Sequence, residues 1–159
     1  MDIVIRNAVL QDYDDLCRLF DQVDTIHCEQ FPAIYRKAAG PIRSIEEIQS
    51  ILEDGQQCIM AACEQGKVIG LLHGFIRDTP VHPMLVMRTF AKIDSMGVDQ
   101  AYKRQGVGHK LIEHFQAWAK SRGATSLELN VYHFNREAVR FYQQEGFEDV
   151  RQLMRKAIP

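Results

Sequence analysis

The segment KRQGVGHKL, residues 103–111, has the composition of a turn that binds an anion. Two glycines flank one valine, and three cations stand close to them: Lys103, Arg104 and Lys110. The first backbone N–H groups of a helix lack partners within the helix, and glycine lets a ligand approach the backbone closely. If a helix begins here, its amides and the positive end of its dipole would attract a phosphate. The segment therefore predicts a phosphate-binding turn.

Two familiar nucleotide-binding motifs are absent from this segment. No Gly-Lys-Ser/Thr follows, as a Walker loop requires, and the dinucleotide pattern Gly-x-Gly-x-x-Gly fails because Leu111 occupies its last position. Gly-x-Gly by itself is common in turns, and basic residues on a helix usually form its solvated face. Taken alone, the segment therefore has an ordinary turn as its alternative interpretation.

A second pattern lies further along the chain, where Asn135 and Tyr142 are separated by two helical turns. At about 100° per residue, this spacing places both side chains within roughly 20° of each other on one helical face. Ala138 stands between them. An amide, a small residue and a phenol in a row can lie along an extended ligand. The alternative is that Tyr142 packs beside neighbouring phenylalanines.

The composition is typical of one globular domain, with 159 residues, 46% hydrophobic residues and a formal net charge of -2. No apolar run approaches the roughly 18 to 20 residues that cross a bilayer, and the first residues do not resemble a signal peptide. We therefore expect a soluble, cytoplasmic protein with no membrane partner. The absence of a basic run argues against a nucleic-acid partner, and the spacing of the four cysteines matches no zinc site. We expect no metal and a small-molecule partner.

The elements that would position these residues follow from periodicity and caps. The first half of the chain predicts a strand over residues 3–6, a helix from Asp12, a shorter helix capped by Ser44, and a hairpin of strands 58–63 and 68–76. The second half predicts a strand over 87–98, a helix from the glycine turn to Gly123, a strand over 126–132, a helix from Asn135 to Gly146, and a last strand or pair of strands over 147–158. This order indicates an α/β or α+β fold with a central mixed sheet.

Two of these segments together resemble the GCN5-related N-acetyltransferase (GNAT) superfamily. Residues 98–108 match Arg/Gln-x-x-Gly-x-Gly/Ala at a strand-to-helix turn, except that Lys103 replaces the opening residue. Residues 135–147 match Asn-x-x-Ala-x-x-Phe-Tyr-x-x-x-Gly-Phe at every fixed position. The resemblance is strong over residues 91–147 and weaker over 59–76.

The resemblance implies a single acetyltransferase domain over residues 1–159. Its GNAT-like fold would have a central mixed, mostly antiparallel, twisted sheet of about six to seven strands flanked by four helices. The acceptor-side helices would lie near residues 10–54, and the acetyl-CoA-binding core near residues 87–147.

The resemblance further implies acetyl-CoA as cosubstrate. Its pyrophosphate would be held at the glycine turn by Lys103, Arg104, Gln105, Gly106, Val107, Gly108 and His109, with Val107 anchoring the turn in the core. The pantetheine arm would pair with the preceding strand at Met96 and Val98, between which Gly97 fits a bulge or a close backbone approach. Asn135 and Ala138 would lie along the arm.

The implied reaction is direct attack of a neutral amine on the thioester. Tyr142 would be the general acid that protonates the departing thiolate, and a strand amide near Val98 would polarise the carbonyl. Several relatives place a glutamate where this chain has Lys92, which as a cation cannot act as the base. Asp94 is the first candidate base, and the alternatives are Glu128, His73 or a water path.

The acceptor is expected to be a small amine or metabolite, or a peptide amine. The acidic amino-terminal helices and the loop between them would shape its pocket, with residues 26–36 as the acceptor loop. Two other functions stay open: a non-catalytic acyl-CoA-binding or regulatory module on the same fold, and a nucleotide-binding domain. Because dimers are frequent in the family, a homodimer is a further alternative.

Overall fold

A computed structural model describes residues 2–159. These residues group into a larger unit that ends at Leu129 and a smaller unit, Asn130–Pro159. In the described residues, the larger unit contains a five-stranded sheet and three α-helices, and the smaller unit contains one α-helix. No helix between residues 2 and 159 is long and apolar enough to cross a membrane.

The strands lie in the sheet in chain order: β1 (Val4–Asn7), β2 (Gln57–Glu64), β3 (Lys67–Asp78), β4 (Thr89–Val98) and β5 (Leu127–Leu129). The first three neighbouring pairs are antiparallel, and β4 pairs with β5 in parallel. The expected mixed, mostly antiparallel sheet is confirmed. The predicted hairpin consists of β2 and β3, and its turn places Gln65 and Gly66 at φ 50° and 83°, the left-handed pair that tight hairpins favour.

The expected carboxyl-terminal part of the sheet is wrong. The sheet has five strands instead of the expected number, because residues 147–158 form no strand and the strand expected over 126–132 is reduced to β5. Alternating side chains form a strand only where a neighbouring strand completes the ladder. β5 has such a neighbour over three residues, Ala91–Ile93, and the apolar side chains of Val150 and Leu153 are exposed.

Four α-helices are present in the described residues: α1 (Tyr13–Gln30), α2 (Ile45–Glu53), α3 (Val107–Ser121) and α4 (Arg136–Gln144). Ser44 Oγ accepts a hydrogen bond from the Glu47 N–H at 3.1 Å, so the predicted cap of α2 is confirmed. Gly123 follows α3 with φ 82°, the left-handed conformation expected at a helix end.

The helices pack on the sheet through a continuous apolar core. Between α1, α2 and the sheet lie Leu16, Leu19, Phe20, Ile48, Ile59 and Leu71. On the side of α3, glycines of β3 allow a close approach. A Cβ at Gly74 would lie 2.3 Å from the Phe115 ring, and one at Gly70 would lie 3.1 Å from Val107. This contact fixes the start of α3 against β3.

One half-buried cation fixes α1 to the sheet. Arg18 donates to the Val68 carbonyl on β3 at 2.9 Å and pairs with Asp99, just after β4, at 2.5 Å. Asp15 contacts the same guanidinium and also accepts from the Val68 N–H at 3.0 Å. Directional, charge-assisted bonds therefore set the position of α1 over β3 and β4 in addition to packing.

A buried carboxylate near β1 gives a stability prediction. Asp12 accepts two hydrogen bonds from Arg6, at 2.7 and 2.8 Å, and the guanidinium holds the pKa of Asp12 below its usual value. Asp12→Asn should lower the free energy of unfolding at pH 7 by about 2 kcal/mol, because Arg6 loses its anion. The contribution is complete above the unfolded carboxyl pKa of about 4 and is lost as pH falls through the lower folded value.

Denaturant unfolding of the wild type and Asp12→Asn from pH 7 to pH 2 measures this effect. The two free energies of unfolding are expected to converge in acid, and a gap that is independent of pH would contradict the assignment. Asp14→Asn, which changes an exposed acid two residues away, should leave stability nearly unchanged.

Candidate active site

The glycine turn begins α3 as predicted. Gly106 is the N-cap with φ 79°, and Arg104 is also left-handed, with φ 61°. A Cβ at Gly106 would meet no atom within 4 Å, so the backbone of the turn is accessible there. Val107 is buried against Gly70 of β3, as expected for the anchor of the turn. Left-handed residues in a turn direct neighbouring N–H groups toward one side, an arrangement that binds phosphate.

The polar side chains of the turn differ in their partners. Lys110 Nζ donates to the Ile3 carbonyl at 3.4 Å, which ties this cation to the chain just before β1. Gln105 Nε2 donates to the Ala101 carbonyl at 3.1 Å and so braces the loop. Arg104 is exposed. The charge at the mouth of the turn therefore includes an exposed guanidinium, which suits a solvated anion such as a phosphate.

The strand that leads into this turn has one partly open edge. β4 pairs with β3 along its length, with Met96 opposite Leu72 and Val98 opposite Gly70. Its ladder with β5 ends at Ile93, and within residues 2–159 no strand pairs with the rest of that edge. Unpaired backbone groups at a sheet edge can hydrogen-bond to an extended ligand.

Gly97 serves a close approach between β4 and α1. A Cβ at this position would lie 2.7 Å from Cγ2 of Val23 on α1, nearer than real Cβ atoms come to other atoms. Of the two explanations predicted for Gly97, the close approach is therefore confirmed. The bulge of β4 lies at Asp94 instead.

The bulge brings two of the candidate bases together. His73 on β3 pairs with Ser95, whereas the next residue, Gly74, pairs with Ile93. Asp94 is therefore the extra residue of the bulge. Its Oδ2 lies 3.4 Å from Nδ1 of His73. His73 is buried and the Asp94 side chain is 47% exposed, so the pair joins a buried imidazole to a carboxylate that solvent reaches.

The pKa of Asp94 lies below its usual value. Hydrogen bonding to the His73 ring is the largest cause, partial burial opposes it, and the positive charge of Arg43 adds to the lowering. Asp94 is consequently ionised at neutral pH, and a carboxylate with a lowered pKa is a weak base when it acts alone.

Glu128, another candidate base, is engaged elsewhere. Its carboxylate pairs with Arg88 at 2.7 Å on the surface, and it lies opposite Lys92 in the ladder of β4 and β5. The structure thus places His73 beside Asp94 and Glu128 beside Arg88.

A cavity of about 260 Å³ lies beside α1. It is lined by one face of that helix and by the loop before α2: Cys17, Phe20, Asp21, Asp24 and residues 38–43. The Arg43 guanidinium pairs with Asp24 at 2.9 Å and lies 3.8 Å from the centroid of the Phe20 ring. Because Asp21 adds a second carboxylate, the lining carries more negative than positive charge.

The sequence did not single out the loop that lines this cavity. The predicted acceptor loop was residues 26–36, where the His27 and Tyr35 rings lie 5.7 Å apart. The cavity uses the next stretch, residues 38–43. The available signals were a Gly-Pro turn and an arginine before the Ser44 cap, and neither indicates a pocket without the tertiary structure.

In the smaller unit, Asn135 is the N-cap of α4, and its Oδ1 accepts a hydrogen bond from the Ala138 N–H at 3.2 Å. Tyr142 is half-buried, with its ring centroid 5.4 Å from that of Phe141 and 5.6 Å from that of Phe147. Burial raises the pKa of Tyr142 to about 12. The phenol therefore keeps its proton throughout the neutral range.

Comparison with known proteins gives one consistent result. A model of the acetyltransferase (GNAT) family matches residues 20–147. The uncharacterized N-acetyltransferase YhfO of Bacillus subtilis (strain 168) is 26% identical over 145 residues, which cover 91% of this chain and 89% of that protein. A mutant of the BH1408 protein from Bacillus halodurans has a TM-score of 0.93 at 25% identity, covering 98% of this chain and 99% of its own.

One further solved structure is similar in fold. AAC(6')-Iy in complex with the bisubstrate analog CoA-S-monomethyl-acetylneamine has a TM-score of 0.76 at 16% identity and covers 100% of this chain and 99% of its own. At this level of identity the similarity concerns the fold alone.

Proposed function

Because the chain belongs to the acetyltransferase (GNAT) family, we propose that it transfers an acetyl group from acetyl-CoA to the primary amine of a small cationic acceptor. The chain is an acyltransferase of the N-acetyltransferase kind, like its relative in Bacillus subtilis. The proposed domain covers residues 1–159, with the acceptor side near residues 10–54 and the acetyl-CoA-binding core near residues 87–147.

The proposed donor site begins at the glycine turn. The amides from Gly106 to His109 would hold the pyrophosphate at the positive end of the α3 dipole. The left-handed conformation of Arg104 and Gly106 supports this, as does the accessible backbone at Gly106. Acetyl-CoA would supply the activated thioester. The bisubstrate analog bound to AAC(6')-Iy, which contains CoA, is consistent with such a donor on this fold.

The rest of the donor site would lie along the open edge of β4. Its unpaired backbone near Met96 and Val98 supports pairing with the pantetheine arm. The amine nitrogen would attack the thioester carbon, the carbon–sulfur bond would break, and the thiolate would leave with the electron pair. A backbone amide near Val98 would polarise the carbonyl oxygen. The roles proposed for Asn135, Ala138 and Tyr142 rest on the motif that they match.

The acceptor class rests on one observation, the cavity beside α1. Its two carboxylates, Asp21 and Asp24, outnumber its one cation, Arg43, so the lining favours a cationic amine. Arg43 lines the cavity and its charge also lowers the pKa of Asp94, so the cavity adjoins the bulge of β4. An ammonium group bound there would approach the carboxylate of Asp94.

The proposal is tested by thiol release from acetyl-CoA in the presence of polyamines, aminoglycosides, amino acids and peptide amines. We expect turnover with at least one polycationic small amine and the lowest rates with acidic acceptors. Acetyl-CoA binding without thiol release across the panel would favour the non-catalytic acyl-CoA-binding module. If acetyl-CoA fails to bind, the proposed donor site is wrong.

The acceptor cavity gives a prediction for Asp21. Asp21→Asn should raise KM for the cationic acceptor about fivefold, because one attractive charge at a partly solvated site contributes about 1 kcal/mol. KM for acetyl-CoA should stay the same. Asp14→Asn is the matched control, since Asp14 is an exposed acid of the same helix outside the cavity lining. Equal acceptor KM values for Asp21→Asn and Asp14→Asn would place the acceptor elsewhere.

A further inference from the structure

The bulge of β4 holds a buried imidazole nitrogen whose neighbours are all acceptors. Within residues 2–159, Nδ1 of His73 is buried and makes no hydrogen bond. Its nearest polar neighbour is Oδ2 of Asp94, at 3.4 Å. A buried polar atom without a hydrogen bond is costly, and native structures rarely keep one without a function.

The protonation state of this ring follows from a chain of contacts across the sheet. Asp54 Oδ2 accepts from Nε2 of Gln57 at 2.7 Å, and this hydrogen bond holds the pKa of Asp54 below its usual value. An ionised carboxylate only accepts, so it fixes the orientation of the Gln57 amide. Oε1 of Gln57 therefore faces Nε2 of His73, at 3.2 Å. Since a carbonyl oxygen also only accepts, Nε2 must carry the hydrogen.

In the neutral ring, Nδ1 is then a bare acceptor that faces a second acceptor. Two lone pairs at 3.4 Å repel each other, and one proton between Nδ1 and Oδ2 would satisfy both atoms. The groups around the pair include no competing donor ring or amine: Gln57 approaches from β2, Ser95 and Asp94 from β4, and the Arg43 charge acts on Asp94. The arrangement is that of a site prepared to take up one proton.

We propose that Asp94 and His73 together take up the proton that the acceptor ammonium loses before its nitrogen attacks the thioester. This inference rests on the proposed function. The ammonium N–H bond breaks, the electron pair stays on the amine nitrogen, and the proton passes through the Asp94 carboxylate to Nδ1. The product is a neutral amine beside an imidazolium–carboxylate pair. The exposed Asp94 carboxylate then returns the proton to solvent.

The two residues have different parts in this step. Asp94 is the catalytic residue, because its partly exposed carboxylate adjoins the acceptor cavity and would touch the ammonium. His73 is a positioning residue that acts through Asp94, because it is buried behind it. Its imidazole supplies the proton affinity that an ionised aspartate with a lowered pKa lacks.

A kinetic test uses Asp94→Asn. We expect kcat/KM for the amine to fall about tenfold at pH 7 and to recover toward the wild-type value above about pH 10, where a primary amine is already neutral in solution. His73→Gln should show the same recovery. A deficit of constant size from pH 7 to pH 10 in either variant would mean a structural role and overturn the proposal. Asp78→Asn, a change at an exposed strand carboxylate, is the matched control.

A second test needs no turnover. Nitrogen-15 NMR of labelled histidine should show the neutral His73 ring with hydrogen on Nε2, and acid should add the proton at Nδ1. A neutral ring with hydrogen on Nδ1 would overturn the proposal even if acetyl transfer is observed. Conversely, the absence of thiol release with every amine would reject the proposed function while the NMR result for the pair still stands.

Discussion

Tyr142→Phe is expected to lower kcat for acetyl transfer about 100-fold while KM for acetyl-CoA stays within about twofold. The substitution removes one hydroxyl and keeps the ring, so the packing against Phe141 and Phe147 is preserved. An interaction that strengthens as charge develops on the sulfur contributes to the transition state and little to binding. The measurement is steady-state thiol release with separate binding of acetyl-CoA by titration.

The raised pKa of Tyr142 refines its proposed role. A thiol has a pKa of about 8.5, whereas burial raises the pKa of Tyr142 to about 12, so complete proton transfer to the thiolate is uphill. We therefore expect the neutral hydroxyl to donate a hydrogen bond to the sulfur, with the final proton coming from solvent. The ratio of wild-type to Tyr142→Phe rates should then be constant from about pH 6 to pH 10, because the phenol titrates above this range.

Three outcomes separate the possible roles of this tyrosine. Equal kcat values would remove the hydroxyl from the reaction, and loss of acetyl-CoA affinity would assign Tyr142 to packing. A rate ratio that falls toward one between pH 7 and pH 9 would mean that the phenol titrates in that range, contrary to its burial. Tyr132→Phe, a change at another half-buried tyrosine of the smaller unit, is the control.

Gly106→Ala is expected to raise KM for acetyl-CoA about 30-fold, which corresponds to about 2 kcal/mol. At φ 79° an alanine is strained, and relief of the strain would rotate the amides at the start of α3 away from a bound phosphate. No atom lies within 4 Å of the Cβ position, so the effect comes from backbone conformation and ligand clearance without an internal clash.

Gly123→Ala is a closely matched control for this change. Gly123 follows the other end of α3, has φ 82°, and would likewise place its Cβ in open space. Both variants should lose about 1–2 kcal/mol of stability, while acetyl-CoA affinity should fall for Gly106→Ala alone. If both variants bind acetyl-CoA equally well in an isothermal titration, the glycine turn does not hold the pyrophosphate.

Features that depend on residues close together in sequence were predictable. The Ser44 and Asn135 caps, the tight turn at Gln65 and Gly66, and the left-handed glycine at the start of α3 each satisfy backbone groups within a few residues. The strands expected over 147–158 and 126–132 were not realised in full, because a strand also requires a distant segment as its partner.

The sequence by itself determined the family, the order of the elements and the chemistry available at the glycine turn, because these depend on short motifs and local periodicity. The tertiary structure alone decided which base candidates meet. A bulge in β4 turns Asp94 toward His73, Gln57 reaches the same imidazole from β2, and Arg43 joins α1 to line a cavity. Such contacts depend on sheet register and loop closure, which residue spacing along one chain does not specify.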